Sequence, residues 1–239
     1  FMSKQLIQRL VTSNPSPEYV GRIAAVWEDD GSGTRGNLEA VVRAILLDPE
    51  ALDGHEDDPL VFGKLREPIL RVTGLWRAFE SVGTTTTLGF LADAFLGQRA
   101  QSAPSVFNFF SPTYTTGDLA AQGLVAPEMQ ITTHSRITRT NNLLTYLVYE
   151  GNSELVDPGF EQPVLQIDEI RIESANVPEF VALLDERLCG GTMSAQTRTT
   201  LEGHLVQVPY IVPGFANGLF RTLEGISLVS ISPDYAIQQ

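Results

Sequence analysis

The sequence predicts an all-α protein, an irregular multi-helix array with long packed loops and at most one short extended segment. Three observations predict it. Apolar residues recur at i, i+3, i+4 and i+7 through most of the 239 residues, the period of helices buried on one face. Prolines, glycines and capping residues punctuate the ends of these runs. Strands do not alternate with helices, which counts against a doubly wound sheet.

The elements follow in order. Met2, Leu6, Ile7, Leu10 and Val11 mark a first helix that stops before Asn14-Pro15. Ser16-Pro17-Glu18 opens the second with a capping serine, proline at the first helical position and an acid near the positive dipole end. Tyr19, Val20, Ile23, Ala24 and Trp27 carry it on. Leu38, Val41, Val42, Ile45 and Leu46 mark a third, stopped by Pro49. Between residues 59 and 79 a stripe runs through Phe62, Leu65, Ile69, Val72, Trp76 and Phe79, and Pro68 should kink or divide that helix. A short helix over 88–96 follows, and one or two more span the stretch from Pro127 to about residue 149. VLQIDEIRIE (164–173) alternates imperfectly and suggests a short strand or extended packing segment. Pro178 opens a helix stopped by Gly190-Gly191, and Ser194 caps another to about residue 206. A last helix runs from about 215 to 231 and ends at Ser232-Pro233. The strings NPSPEY, LDPEAL and ISPDYA echo one another, but each is the generic grammar of a helix stop followed by a helix start. The chain is expected to be a single helical domain over 1–239, or the C-terminal part of a larger one, with a subdivision into 1–150 and 151–239 open.

Hydrophobic residues make up 43% and charged residues 19%, a globular balance that argues against disorder. The formal net charge is −13, which repels phosphate backbones and anionic headgroups and so counts against nucleic-acid binding. No apolar run approaches the roughly 20 residues that a bilayer requires, so no transmembrane segment is expected. A single cysteine, Cys189, excludes an internal disulfide and a thiolate zinc cluster. Phe1 is no initiator, so the chain is expected to be a fragment whose N-terminal part, with any targeting segment, lies elsewhere.

One stretch obeys neither period. Phe107, Phe109 and Phe110 sit within four residues between Pro104 and Pro112, with Tyr114 just beyond. Loops longer than about 12–15 residues are uncommon unless functional or packed. These four aromatics are therefore interface or packing residues. The expectation is a strap with Phe107 and Phe110 in the core and Tyr114 nearer the rim.

Candidate chemistry is sparse. Residues 28–39, EDDGSGTRGNLE, fit a 12-residue calcium loop with Glu28, Asp30, Ser32, Thr34 and Gly36 at alternate positions, Gly33 at the sharp turn and Glu39 at the bidentate position. Glu at the first position and Arg35 at the eighth depart from that pattern. The competing reading is an interhelical turn with Asn37 as N-cap. His55, Glu56, Asp57 and Asp58 gather in a second acidic segment, which a metal could use, though a solvated loop with Asp58 capping a helix at Pro59 is the simpler account. Ser105 or Ser135 could join His134 and Glu128 in a triad only by geometry, and no nucleophile elbow occurs. Arg66, Glu67, Arg71 and Glu128 suit structural ion pairs. His204 is a packed or exposed helix residue, and Cys189 a core thiol.

The segments RAILLDPEA (43–51), GKLREPILR (63–71), LGQRAQSAPSVFNFFSPTY (96–114), GLVAPEMQI (123–131) and SPDYAIQQ (232–239) together resemble the bacterial family called "domain of unknown function 1800", in its C-terminal half. The resemblance implies a mostly helical, exported protein, periplasmic or extracellular, often with a twin-arginine type signal. It also implies a neighbour from the family "domain of unknown function 1501" as a partner. The family has no established catalytic residues, so none is carried over. The function expected is a partner-binding or structural module. The alternative is an extracytoplasmic enzyme, such as a hydrolase, whose site is shared with the absent N-terminal half.

Overall fold

The computed structural model describes residues 1–85, 87–150 and 163–238, so part of the 151–176 stretch lies outside the described residues. The helices are α1 (Met2–Leu10), α2 (Pro17–Glu28), α3 (Leu38–Leu46), α4 (Pro49–Asp57), α5 (Pro68–Ala78), α6 (Thr87–Leu96), α7 (Gly117–Ala121), α8 (His134–Glu150), α9 (Asp168–Glu173), α10 (Val177–Leu184), α11 (Ala195–Leu205), α12 (Leu219–Ile231) and α13 (Pro233–Ala236). A 3-10 turn covers Pro127–Gln130 and a π turn covers Asp185–Cys189. Among the described residues the only sheet is β1 (Lys64–Leu65) against β2 (Ile237–Gln238), antiparallel, with Lys64 opposite Gln238. The protein is a mostly helical, irregular array.

Its segments interleave into two compact units. Unit 1 comprises Phe1–Leu65, Ser105–Gln130 and Ile237–Gln239; unit 2 comprises Arg66–Pro104 and Ile131–Ala236.

In unit 1 the helix starts follow the sequence signals. Ser16 accepts from Tyr19 N–H, Asn37 from Ala40 N–H and Asp48 from Glu50 N–H, each satisfying a donor the helix leaves over. A small core of Ile7, Val11, Tyr19, Ile23, Val41 and Ile45 lies between α1, α2 and α3. Polar groups are buried beside it, including Gln8, Thr12, Asp48, Lys64 and Glu128.

Unit 2 is the reverse, an extended apolar core running from Val72 and Leu75 of α5 and Phe79 just beyond it through Leu144 and Val148 of α8 to Phe180 of α10 and Ile226 of α12. Gly225 lets α10 and α12 close up, since a Cβ there would stand 2.6 Å from the Phe180 ring. Gly190, at φ 67, ends the π turn in the left-handed conformation that glycine takes at low cost.

Three helical expectations need correction. Residues 53–57 are not a loop but the second half of α4. Pro49 starts that helix as well as stopping α3, because Asp48 caps it and proline suits the first position. Residues 59–62 form a turn rather than a helix capped by Asp58, and the helix of the 59–79 stripe begins at Pro68. In VLQIDEIRIE only Val164 makes a strand-like bridge, to Val82, and Asp168–Glu173 is helical. There Asp168 and Glu169 sit at the positive end and Arg171 in the last turn, a dipole match that outweighs weak alternation.

Candidate functional site

The 28–39 segment closes on itself. Asp30 Oδ1 accepts from Ser32 N–H (2.9 Å), Ser32 Oγ (2.6 Å) and Thr34 N–H (3.3 Å), while Oδ2 accepts from Asn37 Nδ2 (2.7 Å). Asp29 Oδ1 takes the N–H groups of Gly31 and Gly33. The Ser32 hydroxyl, followed by Asn37, holds the Asp30 carboxyl well below the usual carboxylate range. Asp30, Ser32 and Thr34 thus meet in one turn. Glu28 ends α2 and Glu39 lies in the first turn of α3. Among the described residues no three His, Cys, Asp or Glu side chains are grouped to hold a metal. In the second acidic segment His55 approaches only Glu56, at 3.9 Å.

The aromatic strap is tied to unit 1 by polar contacts. Asn14 exchanges two hydrogen bonds with Val125, Gln8 Nε2 donates to Pro112 O, and Arg9 Nη2 donates to Phe107 O at 2.7 Å. Arg9 also lies 4.4 Å over the Phe110 ring, a cation–π contact. Phe110 is buried at 3% exposure, Phe109 and Tyr114 are half-buried, and Phe107 is 43% exposed. The placement of Phe107 in the core is therefore corrected. Residues 105–108 form a tight turn, with Asn108 N–H on Ser105 O and Phe107 N–H on Ser105 Oγ. Val106 and Phe107 occupy its tip, Val106 at 95% exposure.

Behind the strap, Lys64 Nζ lies 3.1 Å from Glu128 Oε1, both side chains at 2% exposure or less. Lys64 also donates to Gln8 O and Arg9 O. Glu128 is thereby engaged in architecture rather than catalysis.

Unit 2 disposes of most other candidates similarly. Arg66 donates to Leu188 O and covers the Tyr235 ring at 4.9 Å. Glu67 accepts from Gln98 Nε2. Arg71 donates to Asn141 Oδ1 and Ser230 O, and burial pulls its pKa down to about 10. Burial, with Asp185 and Asp234 nearby, pushes the Cys189 thiol up to about 12. That is an inert core thiol. His134 stands exposed at the start of α8 beside exposed Ser135.

What the sequence reading missed is a hydrogen-bonded chain at His204. Its Nε2 lies 3.0 Å from Glu224 Oε1, and Tyr149 OH donates to Glu224 Oε2. His204 is one end of a surface groove of about 630 Å³ whose other end is Ser194, Thr197 and Asp234. No local signal could reveal it, since the partners stand 20 and 75 residues apart.

Fold and geometry define a class first: a mostly helical protein of two compact units, many of whose ionisable groups are engaged in hydrogen bonds and ion pairs within their own unit. Within that class the chain belongs to the family described as "Protein of unknown function (DUF1800)", which matches residues 1–237. Comparison with curated proteins finds no match, and neither does comparison with solved structures. Among the described residues no helix is long and apolar enough to cross a membrane.

Proposed function

We propose that this is an exported bacterial helical module that acts by binding a protein partner, with the 105–108 turn as its contact point. One observation carries the reading. Val106 and Phe107 project from a turn held by three hydrogen bonds, with Arg9 also clasping the neighbouring Phe110 ring, so the ordering cost of that backbone is met before any partner arrives. Exposed apolar groups on a rigid frame mark contact sites more often than scattered ones do. The charge around them is also distinctive. Lys4 and Arg9 are the only charged residues of α1, and residues 105–117 carry none, in a chain of net charge −13. The partner is therefore a protein with an apolar pocket and an acidic rim. A "domain of unknown function 1501" protein, expected from the family resemblance, is the first to try. A photo-reactive amino acid at position 107 should cross-link to that purified protein, whereas the same group at exposed position 199 should not. Equal yields from both would refute the reading. A periplasmic or extracellular home is checked by fractionating cells that make the full-length protein.

The second reading is an extracytoplasmic hydrolase, supported by the imidazole that Glu224 holds beside the groove. Ester turnover that disappears in His204→Ala would move the assignment to it; no turnover by the parent protein would retire it.

A further inference from the structure

The 105–108 turn calls for an apolar pocket with an acidic rim, and unit 1 itself carries one. A cavity of about 600 Å³ opens among the start of α2, α4 and the turn that follows α4, with Pro15, Pro17, Pro49, Val61 and Phe62 as its apolar lining.

The walls of this pocket are preset. Ser16 and Asp48 cap α2 and α4, and Pro17 and Pro49 stand at the first position of each helix. Ser16 donates to the Glu50 carboxylate through both its N–H and its hydroxyl, which ties the two helix starts together. Gly54 lets the Phe62 ring lie against α4, since any Cβ there would collide with it. Proline rings and a seated phenyl ring have little rotamer freedom left to lose, so filling the pocket costs little in side-chain order.

Its uncommitted charge has one sign. Arg22 also lines the pocket, but its guanidinium is taken by the Asp48 carboxylate, at 2.8 and 2.6 Å, as Glu50 is by Ser16. Asp57 and Asp58 are exposed where they line it, and their carboxylates make no hydrogen bond or ion pair among the described residues. The turn is the counterpart: Val106 and Phe107 at its tip, Arg9 at its base, and no acid from 105 to 117. It does not fill the pocket of its own chain, since Val106 is 95% exposed and none of residues 105–108 lines the cavity.

We propose that the pocket receives the 105–108 turn of a second copy of this chain. Val106 and Phe107 enter against Phe62 and the prolines, and Asp57 and Asp58 face Arg9 of the incoming copy. The proposal rests on the turn being a contact point. A contact between two different patches is head-to-tail, so each copy keeps one unused turn or pocket and association propagates into a ring or a filament. A single turn covers well under the ~1,200 Å² of a stable interface, so the contact is weak and reversible, and a protein partner that takes the turn competes with it.

Sedimentation velocity on the whole chain, from micromolar to millimolar concentration, tests this. The parent's average mass should rise with concentration. Val106→Asp removes the apolar tip, and Asp57→Lys with Asp58→Lys reverses the rim; all three positions are exposed. Each variant should stay monomeric at unchanged melting temperature. Mixed in equal amounts, they should form a complex of one copy each and nothing larger, because one supplies an intact pocket and the other an intact turn. A parent that stays monomeric, variants that associate as the parent does, or a mixture no heavier than its components would overturn the proposal. Cross-linking from position 107 to the "domain of unknown function 1501" protein separates the two failures. It persists in the Asp57→Lys, Asp58→Lys variant if only the self-contact is wrong, and is absent from every variant if the turn is no contact point.

Discussion

Units 1 and 2 both carry the string Ser-Pro-acid-Tyr, and they use it differently. In each the serine caps a helix start, at Tyr19 N–H in unit 1 and at Tyr235 N–H in unit 2. The tyrosine three residues on is then fully buried, its hydroxyl on a backbone carbonyl and an arginine over its ring. In unit 1 the carbonyl is that of Ile45, whose helical donor would be residue 49. That residue is proline and has no N–H, so Tyr19 OH supplies the hydrogen bond that the helix cannot. In unit 2 the carbonyl is that of Arg71, inside α5, where Leu75 N–H already serves it. The same four residues therefore complete a helix junction in one unit and add an anchor to an apolar core in the other. Unit 1 is held by polar completion around a small core, unit 2 by apolar burial.

Trp27 lies in unit 1 and Trp76 in unit 2, so single-tryptophan variants follow each unit by fluorescence. The largest effect on unit 1 is expected from Glu128→Gln, which leaves the Lys64 ammonium buried without its counter-charge and costs about 3–5 kcal/mol. Lys64→Met combined with Glu128→Leu should recover much of it. Full recovery by neither route, with no initial loss, would show that unit 1 does not depend on this pair. Next, Tyr19→Phe should cost about 2–3 kcal/mol, because it strands a buried carbonyl, and Tyr235→Phe nearer 1 kcal/mol, because its carbonyl keeps a helical donor. Equal losses in denaturant titrations would erase the distinction between the two motifs.

Acid offers a smaller effect. Burial acts to raise the Asp48 pKa, but the Arg22 and Glu50 hydrogen bonds overcome it and the net shift is downward. A carboxyl lowered in the folded state contributes stability above its unfolded pKa and loses it as pH falls. The Trp27 transition should accordingly weaken below about pH 5 and Asp48→Asn should flatten that limb. An unchanged slope would remove Asp48 from the account. The smallest effect concerns calcium. With Asp30 satisfied from within its own turn, melting of unit 1 should shift by less than about 1 °C between calcium and chelator, since stabilisation scales with selective binding to the folded state. A rise of several degrees would instead support Glu28, Asp30, Ser32, Thr34 and Glu39 as ligands.

The fold was legible wherever one turn of chain carried the signal. Ser16-Pro17, Asn37, Asp48-Pro49, Ser194 and Gly190 act within four residues of themselves, and the structure puts caps and stops there. Errors arose where proline served two helices at once, as at Pro49, or where a few alternating residues mimicked a strand, as at 164–173. The candidate sites were less legible because they depend on register between distant segments. Lys64 meets Glu128 across 64 residues of chain, and His204 on α11 meets Glu224 on α12. Phe107 illustrates the limit most plainly. It has the same composition signal as Phe110, but a turn at Asn108, held at φ 71, sends one ring to solvent and the other beneath Arg9.

That exposed ring is the basis of the functional reading, and one binding constant tests it most directly. The affinity of the proposed partner, a purified "domain of unknown function 1501" protein, should be measured for the parent chain and for Val106→Asp, with melting temperature followed in parallel. At least a tenfold loss with unchanged melting is the result expected. Equal affinity for both proteins would contradict the assignment of the 105–108 turn as the contact point.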